Sequence, residues 1–229
     1  FVAGLVNVTG FLSFKQLTTN VTGHFALFVN DVSHFEFWKG TIYFLYIFSF
    51  LFGSFSSAFL LEKFNETKKL NVFALPTLME SLILISIPLL GHVTGLPNPD
   101  LVVCMLLFSM GLQNSYVTKI SNAVVRTTHL TGLFTDLGIE LSQLLFPITK
   151  LKRNSIKATI KLRVYIIGFF FLGGLAGGFF FSTMNLKLNT LLIGAAILLL
   201  SLFYDDFRFW YLTSKRRHVK KTTLSKRAS

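Results

Sequence analysis

Residues 41–61, 164–186 and 188–204 of this chain contain no Asp, Glu, Lys or Arg. A helix rising about 1.5 Å per residue needs roughly 20 apolar residues to cross a hydrocarbon core about 30 Å thick. These runs are continuous rather than alternating, so they lack the two-residue period of a membrane β-barrel and the one-sided stripe of a soluble bundle. In lipid, each segment must satisfy its own backbone groups, and a continuous apolar segment does so as a helix. The chain as a whole agrees: 52% of its 229 residues are hydrophobic, 14% are charged, and the mean hydropathy is +0.61.

Spans are expected at about 1–16, 41–61, 72–92, 101–120, 163–183 and 188–207. Two further segments, 18–30 and 127–146, are apolar but hold Thr, Asn, His, Asp and Glu. They read as broken or re-entrant pieces, with a full crossing as the alternative. Phe1 stands inside the first run, so further residues are expected ahead of it. The single cysteine, Cys104, lies in an apolar run, which excludes an internal disulfide and leaves packing as its expected role.

Basic residues next to spans stay cytoplasmic, and they set the orientation. The stretch 147–163, read as a loop, and the tail 208–229 together hold 14 of the 22 Lys and Arg residues. Lys63, Lys68 and Lys69 join them on one side of a six-span arrangement, against Lys39 and Lys187 on the other. Both termini are therefore expected in the cytoplasm. Anionic lipid headgroups account for the net charge of +12, and a nucleic-acid partner is not expected.

The chain also resembles itself. Ala3-Gly4-Leu5-Val6-Asn7 corresponds to Met110-Gly111-Leu112-Gln113-Asn114 at an offset of 107, and Thr18-Thr19-Asn20-Val21-Thr22-Gly23 to Thr127-Thr128-His129-Leu130-Thr131-Gly132 at 109. A third pair joins the small-residue stretch from Gly53 to the one from Gly173 at an offset of 120. Three spans per half would turn the second half upside down relative to the first. The expected fold is an all-α, polytopic membrane bundle of about six spans, built as two inverted three-span repeats, 1–95 and 101–207, followed by a basic tail, 208–229. Inverted repeats recur in secondary transporters, with the site at the repeat interface.

Each polar feature carries two readings. The small-residue stretches fit close helix packing. The Thr-Gly blocks either cap the helices that follow them or, as breaks in a helix, offer open backbone groups to an ion or polar solute. On the second reading, Thr19, Asn20, Thr22, Gly23, Thr128, Thr131 and Gly132 are site candidates. Asn7, Gln113 and Asn114 lie in apolar helices, where they either bond across the bundle or line the same site. Glu80, and Asp136 with Glu140 one helical turn on, are the intramembrane carboxylates that usually point to function, and Glu80 and Asp136 are candidates for coupling. Arg126 could serve as a counter-ion or snorkel to the interface. His24 and His129 adjoin the two blocks but occupy non-equivalent positions, so no metal site is expected. No nucleophile elbow, phosphate loop or metalloprotease helix is present, and neither an enzyme nor a cofactor is expected.

The Ala-Gly-x-x-Asn start, the Thr-x-Asn-x-Thr-Gly block, the small-residue second span and the Met-Gly-Leu-Gln-Asn block followed by Thr-x-x-Thr-Gly resemble the YoaK family of bacterial inner-membrane proteins over about residues 3–205. The resemblance implies six spans and brings no substrate; members carry an aspartate where Asn7 stands. The leading expectation is a secondary transporter or permease for a small solute or ion, with its site between the repeats. The alternative is a non-catalytic interaction or accessory subunit of a larger complex, and a homo-oligomer fits either.

Overall fold

The computed structural model describes residues 1–64, 73–95, 98–120, 129–147 and 149–204. These residues form α1 Val2–Phe14, α2 Val21–Ser33, α3 Phe37–Phe64, α4 Ala74–Thr94, α5 Pro99–Ile120, α6 Leu130–Gln143, α7 Lys150–Gly178 and α8 Lys187–Tyr204. A π-helical turn, Phe179–Thr183, extends α7, and a 3-10 turn, Lys187–Asn189, opens α8. Among the described residues there is no strand.

Helices α3, α4, α5, α7 with its π turn, and α8 are each long and apolar enough to cross a membrane, while α1 is a shorter apolar helix. Their outer faces are apolar too: Phe44, Phe48, Phe52, Phe55 and Phe59 of α3 and Phe169, Leu172 and Leu175 of α7 are exposed on the bare bundle. Rows of exposed aromatic and aliphatic groups on this scale suit a hydrocarbon surrounding and not water. The fold is that of a helical membrane protein.

Two elements differ from their expected form. Helix α7 starts at Lys150, so the basic stretch up to Arg163 is not a loop but the first turns of a 29-residue helix. The Thr149 side chain caps it by accepting the Lys152 N–H, and the Lys, Leu and Arg residues that follow are good helix formers whose propensity outweighs the unfavourable position of cations in a first turn. Helices α2 and α6, with 13 and 14 residues, span only about 20 Å, too short to cross a hydrocarbon core unaided.

The long helices pack as two parallel pairs, α1 with α7 and α3 with α5. Glycine makes both possible. A Cβ on Gly4 would stand 2.0 Å from the Phe170 carbonyl oxygen and one on Gly173 1.9 Å from that of Phe1. In the other pair, a Cβ on Gly111 would stand 2.2 Å from the Phe50 carbonyl oxygen and one on Gly53 2.1 Å from that of Phe108. Gly4 and Gly111 differ by 107 positions, as do Phe1 and Phe108, while Gly53 and Gly173 differ by 120, as do Phe50 and Phe170. The same contact is therefore made twice, at the offsets of the sequence blocks.

Helix α1 runs against α5, with Ala3 and Gln113 on one cleft and Gly10 facing Leu106. Leu5, Val6, Leu84, Ile87, Leu106, Met110 and Leu191 form the core where α1, α4, α5 and α8 meet, each without solvent exposure. Two ends follow from α3 and α5. At one, the Tyr46 hydroxyl donates to Asp100; at the other, Lys119 pairs with Glu62.

Candidate functional site

Glu80 lies one turn before Leu84 on the buried face of α4 and is wholly inaccessible. The Tyr116 hydroxyl of α5 donates to its Oε2 at 3.1 Å, and the side chains of Thr77 and Gln113 border the same hydroxyl. Glu80 Oε1 has no partner among the described residues. Burying a carboxyl costs several kcal/mol, on the order of what a buried ion loses in hydration, unless it is compensated, and among the described residues one phenol is the only group that bonds it. A residue type so expensive at this depth is a functional signal.

Gln113 carries the line outward. It is 5% exposed, its Oε1 is buried without a partner, and it forms part of the wall of an open cleft of about 320 Å³. Phe1 and Ala3 at the start of α1 and Leu162, Tyr165, Ile166, Phe169 and Phe170 of α7 line the rest of it. A path of polar groups thus leads from the cleft through Gln113 and Tyr116 to Glu80. Asn7 and Asn114 each keep a buried, unpartnered Oδ1, and Asn7 shares the α1 face of Ala3 and Gly10 that meets α5. At the Asp100 end, Tyr46, Val103 and Leu107 are buried against Phe14, Ile42 and Phe50.

The two Thr-Gly blocks lie at opposite ends of the bundle. The first sits at the Asp100 end. Its Thr18 hydroxyl donates to the Val6 carbonyl at 3.4 Å, Thr19 is buried, and Asn20 caps α2 by accepting the Gly23 N–H at 3.1 Å. Thr22 is exposed. His24, the one buried residue of α2, donates from Nε2 to the Leu17 carbonyl at 2.7 Å and packs its ring on Tyr43 and Tyr46. In the second block Thr131 is exposed, and Gly132 leaves room for the His129 ring, which would stand 2.3 Å from a Cβ there. Thr128, Thr127 and Arg126 lie outside the described residues, as do Lys68, Lys69 and the tail 208–229. Helix α2 packs on α3 and α6 on α7, so the exposed Thr22 and Thr131 do not share a pocket.

Asp136 and Glu140 are drawn together, though by Arg163 of α7. Its Nε and Nη2 donate to the two Glu140 oxygens, both at 3.0 Å, and its Nη1 donates to Asp136 at 2.9 Å. These bonds hold the Glu140 carboxyl below its ordinary range, against a smaller opposing effect of burial. The sequence reading missed Tyr116 and this role of Arg163. Tyr116 stands three residues after Gln113 on one helical face, which is the signal that could have found it.

The sequence pattern of one family, described as protein of unknown function (DUF1275), matches residues 1–204. The chain belongs to that family. No curated protein and no solved structure gives a significant match. In this DUF1275 chain, Glu80, Tyr116 and Gln113 are buried polar groups that lead from the core of the bundle toward its edge.

Proposed function

We propose that this protein is a secondary transporter of a small solute, coupled to protons through Glu80, in a bacterial inner membrane. The observation that carries the reading is the line from the fully buried Glu80 carboxyl through Tyr116 to Gln113 at the cleft wall. Intramembrane carboxylates of this kind mark proton and substrate paths.

The architecture supports the same reading. Matched helices run in opposite directions, α1 against α5, and the glycine contacts recur at the two sequence offsets, as inverted repeats would have it. On this view α1, α3, α4, α5, α7 and α8 are six crossings, and α2 and α6 are short end helices of the two halves. Exposed Lys150, Lys152 and Lys157 support a cytoplasmic position for the Lys119 end, against anionic headgroups. Asn7 and Asn114 supply acceptors beside the path, and the Thr-Gly blocks position the end helices.

The test is reconstitution into proteoliposomes holding a pH-sensitive dye, followed by addition of a panel of small solutes. At least one solute should drive proton movement, and Glu80→Gln, which keeps the Tyr116 bond, should abolish it while the protein stays folded. Proton movement that is absent throughout the panel, or equal in the variant, removes the reading.

A further inference from the structure

The turn that joins α2 to α3 mixes two kinds of side chain. Phe35 and Trp38 are 82% and 87% exposed, Phe37 is 59% exposed, and the Phe35 and Phe37 rings stand edge to face at 6.3 Å. Asp31, His34, Glu36 and Lys39 lie in the same stretch, and Lys39 pairs with Glu36 at 2.8 Å. Hydrocarbon would strip the ionic groups of water, and bulk water would leave three large rings solvated. The layer between them, where headgroups and ester carbonyls mix with water, suits both kinds, and aromatic belts form there.

The level of the turn along α3 agrees. Helix α2 folds back on α3, with Phe28 against Phe44 at 5.9 Å and Val32 beside Gly40, so the turn stands at the outer end of the pair. Glu62, paired with Lys119, marks the opposite end, and Trp38 and Glu62 differ by 24 positions, about 36 Å of helix. With Glu62 at one edge of a hydrocarbon core about 30 Å thick, Trp38 falls about 6 Å outside the other, within the headgroup layer. Trp38, Thr41, Leu45, Phe48 and Phe52, spaced three and four apart and all exposed, carry the lipid-facing row of α3 up to the turn. Thr41 fits that row because its hydroxyl donates to the Phe37 carbonyl at 2.8 Å.

The matching hairpin at the other end is built differently. At the offset of 120, Phe37 corresponds to Lys157 and Thr41 to Lys161, both exposed on α7. One hairpin carries rings where the other carries cations. We infer that the α2–α3 turn is a lipid-binding anchor, with Trp38, Phe35 and Phe37 seated in the headgroup and glycerol layer of the leaflet at the Asp100 end. Trp38 offers its indole N–H to ester carbonyls there, and the anchor holds α2 against the membrane whatever the protein carries.

The experiment uses the full chain with Trp210→Phe, which leaves Trp38 as the only tryptophan, in phosphatidylcholine vesicles brominated either close to the headgroup or close to the chain ends. Trp38 emission should be lost mainly to the shallow label. Phe52→Trp in a Trp38→Phe, Trp210→Phe chain moves the probe about 21 Å along α3, and its emission should be lost mainly to the deep label. Phe37→Trp in that same background reads the turn without the native ring and should repeat the Trp38 result. Emission from Trp38 that neither label touches would put the turn in water or under a protein partner, and stronger loss to the deep label would put it in hydrocarbon. Either result overturns the assignment, as would probes at positions 38 and 52 that respond alike.

Discussion

Gly4 and Phe170 meet backbone to backbone: a methyl group on Gly4 would stand 2.0 Å from the Phe170 carbonyl oxygen, far inside any real carbon–oxygen contact. The obstacle is main chain, which cannot rotate aside as a side-chain tip can. Gly4→Ala and its counterpart Gly111→Ala are expected to part their helix pairs at a cost of about 1–3 kcal/mol each, as overpacked cores do. Gly138→Ala and Gly168→Ala meet nothing within 4 Å and lie in helices, so each should be neutral or stabilise by up to about 1 kcal/mol. Thermal unfolding of the four variants in one detergent separates the two groups.

Tyr116 holds Glu80 by a single hydroxyl. Tyr116→Phe leaves the ring in place and removes the donor, so a buried carboxyl oxygen loses its partner at about 1–3 kcal/mol. Replacing Glu80 by Met in the same background removes the group left stranded and should recover much of the loss. The double-mutant cycle is expected to show a coupling of at least about 1 kcal/mol between the two positions. Additive effects would mean that the bond contributes nothing to stability.

How far the fold is legible in the sequence depends on which interaction decides each element. The segments around 41–61 and 188–204 are readable because composition alone dictates a lipid-facing helix. The start of α7 is not, because the charges from Lys150 to Arg163 look like a loop while the helix depends on the Thr149 cap and on local propensity. The glycine blocks are readable as a pair because close backbone approach leaves only small residues at those positions. The site is less legible. Glu80 stands out by its cost, yet Tyr116 has no mark beyond its spacing from Gln113, and the grip of Arg163 on Glu140 crosses 23 positions of chain that no local pattern connects. Asn20 shows the limit from the other side, since its block reads equally as a cap and as a site, and the bond to Gly23 gives it the cap.

Arg163 clamps α6 to α7 mainly through Glu140, whose side chain is 14% exposed, while its second partner Asp136 is about half exposed and contributes less. The folded protein holds the Glu140 carboxyl below its ordinary value of 4.5, chiefly through the Arg163 hydrogen bonds. As pH falls, the unfolded chain therefore takes up the proton first. The stabilisation is complete above the ordinary value and is lost as pH falls through the lowered one. Amide exchange over α6 should accelerate at that acid limit. Arg163→Lys, which cannot fork across two oxygens, should show faster α6 exchange already at neutral pH. Identical α6 protection in both proteins would mean that apolar contacts alone hold the helix.

His24 sets a second acid limit, at the opposite end and at milder pH. Burial pushes its imidazole below the ordinary 6.5, and the bond to the Leu17 carbonyl only partly offsets this. The geometry gives the reason: Nε2 already donates to Leu17, while Nδ1 is buried without a partner, so a second proton would add a donor with no acceptor. The neighbouring rings are Tyr43 and Tyr46, and Tyr46 spends its hydroxyl on Asp100. With the folded value lowered, the neutral form is the one the fold prefers. Its contribution is complete above 6.5 and is lost as pH falls from there toward the lowered value. Amides of α2 should therefore exchange faster at about pH 5.5 than at about pH 7.5, after correction for intrinsic rates, while those of α6 stay protected over the same interval. His24→Phe keeps a ring against Tyr43 and Tyr46 but has nothing to protonate, so its α2 should show no such change. A wild-type α2 whose protection is flat between those two values would mean that the imidazole finds room for its second proton.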